Sequence, residues 1–314
     1  MRQKILTFDG RSLDSETVDA PGRLRWASWD RSGASALLVG DGGTLIRYQG
    51  GTFATLGKST RSNLRCAAFS PEGDRAYACG NDGSILLLEG DKLTPVRQDV
   101  RENLRRVAWH PSQDRVLFAG NDGAAYQLTP SGFETIHGAD THLRSIAWHP
   151  QQDYALVAGN CFRDSVGGLS PSPNLFRFDG RSLSDVSSLA ESRADLVSAS
   201  WNPDGSSCLL AGFDQTWHTP ALLSYDGESL SEKVWGSENI FPTACAWNPS
   251  GEYALIGTSA MTADEGATAL YRFDGASVVK VSDLGGRGVS CIAWSPEGTT
   301  ALLVSSHSIR AFSV

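Results

Sequence analysis

The amino-acid sequence predicts an all-β fold, a seven-bladed β-propeller built of four-stranded antiparallel blades. Three observations carry that prediction. A short apolar phrase ending in an aromatic residue recurs seven times, and its copies begin 40, 40, 39, 53, 46 and 47 residues apart. Each copy is followed by turn residues and further short apolar runs, and helical periodicity is absent throughout. Short antiparallel strands repeating every 40–45 residues or so are the signature of propeller blades.

Strand A of each unit is the phrase itself: Leu24–Trp29, Leu64–Phe69, Leu104–Trp109, Leu143–Trp148, Leu196–Trp201, Pro242–Trp247 and Val289–Trp294. Six of the nine tryptophans close it, and Phe69 stands in the seventh copy. The turn that follows, as in Ser70-Pro71-Glu72-Gly73 or Asn202-Pro203-Asp204-Gly205, has Pro to preset φ and a leading side chain able to bond the backbone ahead. His110 and His149 occupy that leading position in their units and read as turn caps. Strand B is apolar and ends in Gly in six units, from Leu37–Gly40 to Ala254–Gly257. Asp-Gly and Asn-Asp-Gly turns lead into strand C, and turns such as Phe178-Asp179-Gly180 and Phe273-Asp274-Gly275 lead into a brief strand D. Such dipeptides supply the positive φ that tight hairpins require.

The residues from 1 to 314 read as a single propeller domain, with blades starting near 24, 64, 104, 143, 196, 242 and 289. Leu13 precedes Leu24 by 11 residues, as Phe53 precedes Leu64, so residues 2–17 are expected to complete the last blade and tie the two ends of the chain together. Both Lys4–Phe8 and Ile309–Phe312 fit strand C of that blade, one candidate too many. Either a terminus frays, or Lys4–Phe8 is the outermost strand and Arg11–Thr17 is loop.

Composition narrows the function. With 40% hydrophobic residues the 314-residue chain can form a core, and no apolar run reaches the 20 or so residues of a membrane span. No secretory signal is visible at the N-terminus. A net charge of −8 argues against duplex nucleic acid as a partner. The six cysteines are never closer than 13 residues and show no metal-ligand spacing, which implies reduced thiols, a cytoplasmic protein and no bound metal.

The Ala-Trp-x-Pro-x-Gly phrase, the apolar strand B ending in Gly and the Asp-Gly turn resemble the WD-repeat family over essentially the whole chain. The repeats are degenerate. Units end in Phe-Asp or Tyr-Asp instead of Trp-Asp, and the opening Gly-His is missing, with His142 the only histidine near such a position. The resemblance implies a non-enzymatic scaffold, a monomer without cofactors, that binds a protein or peptide on one face.

The D–A and B–C connections emerge together on what we call the upper face, and units four to six carry long B–C insertions there: Asn160–Ser172, Phe213–Pro220 and Thr258–Thr268. Function concentrates where loops grow on a regular scaffold. Of 27 basic residues 22 are arginine, and Arg25, Arg65, Arg105 and Arg144 share the second position of strand A in four consecutive blades. Guanidinium groups suit carboxylate or phosphate, so a partner with an acidic segment, or alternatively a small anionic ligand, is expected there. The competing expectation is ion pairing with loop carboxylates such as Asp19, Glu102, Asp140 and Asp195. Phe162, Arg163, Trp217, His218, Trp235 and Met261 are the loop residues expected to join the arginines at the binding surface, with Ile240 and Phe241 as further loop apolar residues. No catalytic motif occurs. The least favoured alternative is an activity built on Cys161 and His218.

Overall fold

A computed structural model of the chain describes residues 2–96, 99–165, 168–189, 194–214, 219–233, 235, 240–259, 268–285 and 288–306. Seven four-stranded antiparallel sheets are arranged in a ring, and in each the strand beginning at the repeated phrase is innermost. Its apolar residues alternate between the two faces of the sheet, each of which packs on a neighbouring blade. Strand B is buried almost without interruption, as in Ser35–Gly40 and Ala155–Gly159, because it is covered on both faces. The core is accordingly a ring of apolar layers between blades, such as Leu156, Leu175, Leu196 and Leu210 between blades four and five.

The last blade settles the strand C question. Its order from outside to inside is Leu13–Asp19, Arg2–Phe8, Ala301–Ser306 and Gly288–Trp294. Arg2–Phe8 is therefore the third strand, paired through Ile5–Val304 and Phe8–Ala301, and Leu13–Asp19 is the fourth. The alternative in which Arg11–Thr17 is loop fails, because Leu13–Asp19 pairs with Arg2–Phe8 along its whole length, and Val18 and Ile5 bury their side chains in the same layer. Ile309–Phe312 lies outside the described residues.

The tryptophan series links blade to blade. Trp109, Trp148, Trp201 and Trp294 each donate their indole N–H to the carbonyl of the penultimate residue of the preceding inner strand: Ala68, Ala108, Ala147 and Ala246, at 3.0–3.3 Å. Below them the turn caps work as expected. His149 Nδ1 accepts the N–H groups of Gln151 and Gln152, and His110 Nδ1 accepts that of Ser112.

Candidate functional site

In every blade the pairing of the two inner strands slips at the second residue of the phrase, for example between Leu24 and Trp26 or Leu104 and Arg106. The residue at the slip is a bulge, unpaired with strand B. In blades one to four that residue is arginine, and its side chain meets the residue 16 positions on, the first of the B–C turn. Arg65 Nε donates to Asn81 Oδ1, Arg105 Nε to Asn121 Oδ1 and Arg144 Nε to Asn160 Oδ1, each at 2.9 Å. Arg25 differs. It grips Asp41 with two bonds, Nε to Oδ1 at 2.9 Å and Nη2 to Oδ2 at 2.7 Å.

The expected pairing with loop carboxylates appears at Arg144, which Asp195 attracts, and the other carboxylates have further partners. Asp19 meets Arg2, Glu102 accepts from Tyr126, and Asp140 accepts from Ser172. Asp195 accepts the Cys161 N–H and also attracts the Arg144 guanidinium. Of Arg25, Arg65 and Arg105, Arg25 alone has a carboxylate among the described residues in its hydrogen-bonded grip. The anchors of the other three are neutral amides, and among the described residues no acceptor meets the Nη groups of Arg65 or Arg105. The sequence reading missed Asp41, Asn81, Asn121 and Asn160. Their signal was available as an Asx that follows the Gly of strand B wherever the bulge is arginine.

The arginines share one space. Burial and then the charges of Arg144, Arg65, Arg106 and Arg25 push the Arg105 guanidinium down to about 9. Burial pushes Arg144 down to about 10, with Asp195 opposing and Arg106 and Arg65 reinforcing. Arg65 is lowered by burial and by Arg25 and Arg23, against Asp41. Arginine stays charged at neutral pH, so these directions register burial first and crowding of like charge second, offset in part by Asp41 at Arg65 and by Asp195 at Arg144. Influence between blades one and three, and between two and four, places the groups around a common central opening.

Below the arc, Arg106 of blade three reaches past blade two to lay its guanidinium 4.3 Å from the ring centre of Trp26 in blade one. At the same strand position other blades carry small residues that bond the next inner strand: Cys66 to Val107, Ser145 to Ala199, Ser198 to Cys245 and Cys291 to Ala27. Trp26 and Arg106 are too large for that role and meet in the central space, flooring the opening. Opposite the arc the bulge positions are Val197, Thr243 and Ser290, and the last two turn their hydroxyls to backbone carbonyls. At the bulge positions the positive charge lies in blades one to four alone.

The first long insertion forms a two-stranded hairpin, Phe162–Ser165 with Gly168–Pro171. Asn160, which anchors Arg144, begins it, and Thr141 holds it by donating its hydroxyl to the Asn160 and Phe162 carbonyls. Phe162 is half-buried beside the arc. Trp235 packs edge-on against Tyr271, with ring centres 4.9 Å apart, and Phe241 is fully buried as the first residue of an inner strand, against Phe213. Phe241 is therefore core, contrary to the expectation of a loop residue free to bind, while Trp235 is partly buried against the layer between blades five and six. The side chain of Arg163, and Trp217, His218 and Met261, lie outside the described residues. Cys161 is buried, and burial followed by the adjacent Asp195 raises its thiol far above the usual range, which opposes a thiolate nucleophile. Among the described residues no three His, Cys, Asp or Glu side chains converge as metal ligands, and no helix is long and apolar enough to cross a membrane.

A family model for the WD domain, G-beta repeat, matches residues 52–87. That span takes in the outermost strand of blade one, Thr52–Thr55, and the three inner strands of blade two. The offset is characteristic of repeats whose sequence unit begins one strand before the structural blade. Together with the ring of seven four-stranded blades, it supports a WD-repeat propeller family. The chain is a WD-repeat-like propeller. No curated protein matches it. WD-repeat propellers commonly serve as protein-interaction scaffolds.

Proposed function

We propose that this WD-like propeller is a non-enzymatic scaffold that takes a protein or peptide on its upper face, with an acidic stretch of the partner over the arginine arc. The observation that carries the reading is the arc itself: Arg65 and Arg105 are fixed by neutral amides at 2.9 Å, and among the described residues no carboxylate hydrogen-bonds either guanidinium. The hairpin of residues 162–171 adjoins the arc at Arg144, through Asn160. Clustered positive charge steers an acidic partner and sets its orientation, while apolar loop contacts hold it.

Affinity capture from native lysate tests this with three baits: the wild type, Arg65→Ala/Arg105→Ala, and Arg31→Ala on the opposite face. Partners lost from the first variant and kept by the second support the upper face. Partners that depend on Arg31 and ignore the arc would overturn it.

A further inference from the structure

Four arginines share one register, yet they are not equivalent. Arg25 spends its Nε and one Nη on Asp41, a side-on grip that neutralises it. Arg65 and Arg105 spend only Nε, on Asn81 and Asn121. Anchoring through Nε fixes the plane of the guanidinium and leaves the Nη1–Nη2 edge, the edge that takes an oxyanion with two parallel bonds. Two such edges on adjacent inner strands, oriented before any ligand arrives, face an opening floored by Trp26 and by Arg106, whose Nε is itself buried with no partner among the described residues. The bulge side chains across the ring, Thr243 and Ser290, are small and neutral and turn to backbone carbonyls.

We infer that Arg65 and Arg105 form a preorganised seat for one oxyanion group, a phosphate monoester or a carboxylate, at the mouth of the central opening, with Arg25 a structural member of the ring that takes no part in binding. The inference rests on the reading of the upper face as the binding face and names the chemistry it recognises. An amide at the anchor position is what keeps the seat charged. A carboxylate there would convert each binding arginine into a second Arg25.

That contrast supplies the test. Asn81→Asp/Asn121→Asp keeps the Oδ1 acceptor that each Nε needs, in a turn position that Asp41 already occupies in blade one, so folding is retained while the charge is cancelled. Inorganic phosphate, O-phosphoserine and a short peptide with a central phosphoserine are titrated against chloride at matched ionic strength, following the arginine Nε–H resonances and thermal unfolding. The seat predicts that phosphate-bearing probes shift the Arg65 and Arg105 signals, leave Arg25 unmoved and raise the unfolding temperature. Affinity should fall about tenfold or more in the double Asp variant, as for loss of a charge-assisted bidentate contact. Equal affinity for phosphate and phosphopeptide assigns the seat to a free small anion; markedly tighter peptide binding assigns it to a group carried on a partner. No probe exceeding chloride, or an Asp variant that binds like the wild type, would overturn the seat. Partner capture that still depends on Arg65 and Arg105 under those results would leave the scaffold reading standing without it.

Discussion

The indole N–H of Trp29 donates to the carbonyl of Ala293, 264 residues later in the chain, at 3.0 Å. The same bond that links ordinary neighbours thus joins the first blade to the last, so the ring is closed at its inner wall as well as by the N-terminal strands at its rim. Two members of the series depart from it. Trp247 is buried with its N–H unpartnered among the described residues, and Phe69 has no N–H to give.

Trp148 is the plainest test of the series. It is buried between blades three and four, bonded to Ala108 and edge-on to Phe178 at 5.9 Å. Trp148→Ala should cost about 3–5 kcal/mol by loss of transfer energy and by the void left behind. Trp148→Phe keeps most of the packing and should cost roughly 1 kcal/mol for the missing hydrogen bond plus a small packing loss. Urea unfolding of the pair checks both; an Ala variant that unfolds with the wild type would show that the indole does not link the blades.

Phe69 offers the reverse experiment. Where a larger indole fills the gap in other blades, a cleft of about 190 Å³ opens between blades one and two, lined by Phe69, Arg47, Arg75 and Leu88. Phe69→Trp should fill part of it and bring an N–H toward the Ser28 carbonyl, the counterpart of Ala68 and Ala108. A gain of about 1 kcal/mol is expected, read as a higher unfolding temperature. A lower one would mean that Arg47 and Arg75 already claim the space.

The blade count and the closing of the ring were legible because a buried inner strand must repeat its apolar pattern and its terminal aromatic in every blade. The choice between Lys4–Phe8 and Ile309–Phe312 was not. Both alternate in a way that suits a third strand, and the hairpin turn that marks this strand in other blades is replaced in the last by the break between chain ends. Arg25, Arg65, Arg105 and Arg144 stood out as a register, but their anchors did not, since a search for carboxylates passes over asparagine. What makes the asparagines partners is the bulge, which a one-dimensional repeat does not display. Phe241 was misplaced for a similar reason: its inner strand starts a residue ahead of the repeated phrase.

The His149 turn gives the fold an acid-sensitive point. Its Nδ1 accepts two backbone N–H groups and its ring packs 4.5 Å from that of Trp201. Burial, with Arg177 adding to it and the Gly205 carbonyl opposing, keeps its protonation below the usual histidine range. The unfolded chain therefore binds a proton first, at about pH 6.5, and stability falls as pH drops through that value. Asn202 and Asn248 fill the same turn position without titrating. His149→Asn should flatten the decline in unfolding temperature between about pH 7.5 and 5.5, while an identical slope in both proteins would assign the decline to other groups.

Asp41→Asn completes the comparison within the arc. Asparagine retains the Oδ1 that accepts Arg25 Nε, as Asn81 does for Arg65, so the turn and the hydrogen bond persist and only the negative charge is removed. The pair is partly solvent-exposed, 19% for the Arg25 side chain and 26% for that of Asp41, which limits what its Coulomb attraction contributes. A loss of about 1 kcal/mol or less is expected at low ionic strength. Removing the carboxylate also withdraws the one charge that offsets the crowding felt by Arg65, so the loss should shrink as salt is added and the Debye length contracts. Inorganic phosphate should restore stability better than chloride at the same ionic strength, because Arg25 then joins Arg65 and Arg105 without a hydrogen-bonded counter-charge. Unfolding temperatures of wild type and variant across a chloride series and a phosphate series decide the matter. A large loss indifferent to both salts would mean that Asp41 holds the turn by geometry, and that charge in the arc is not what this protein balances at its upper face.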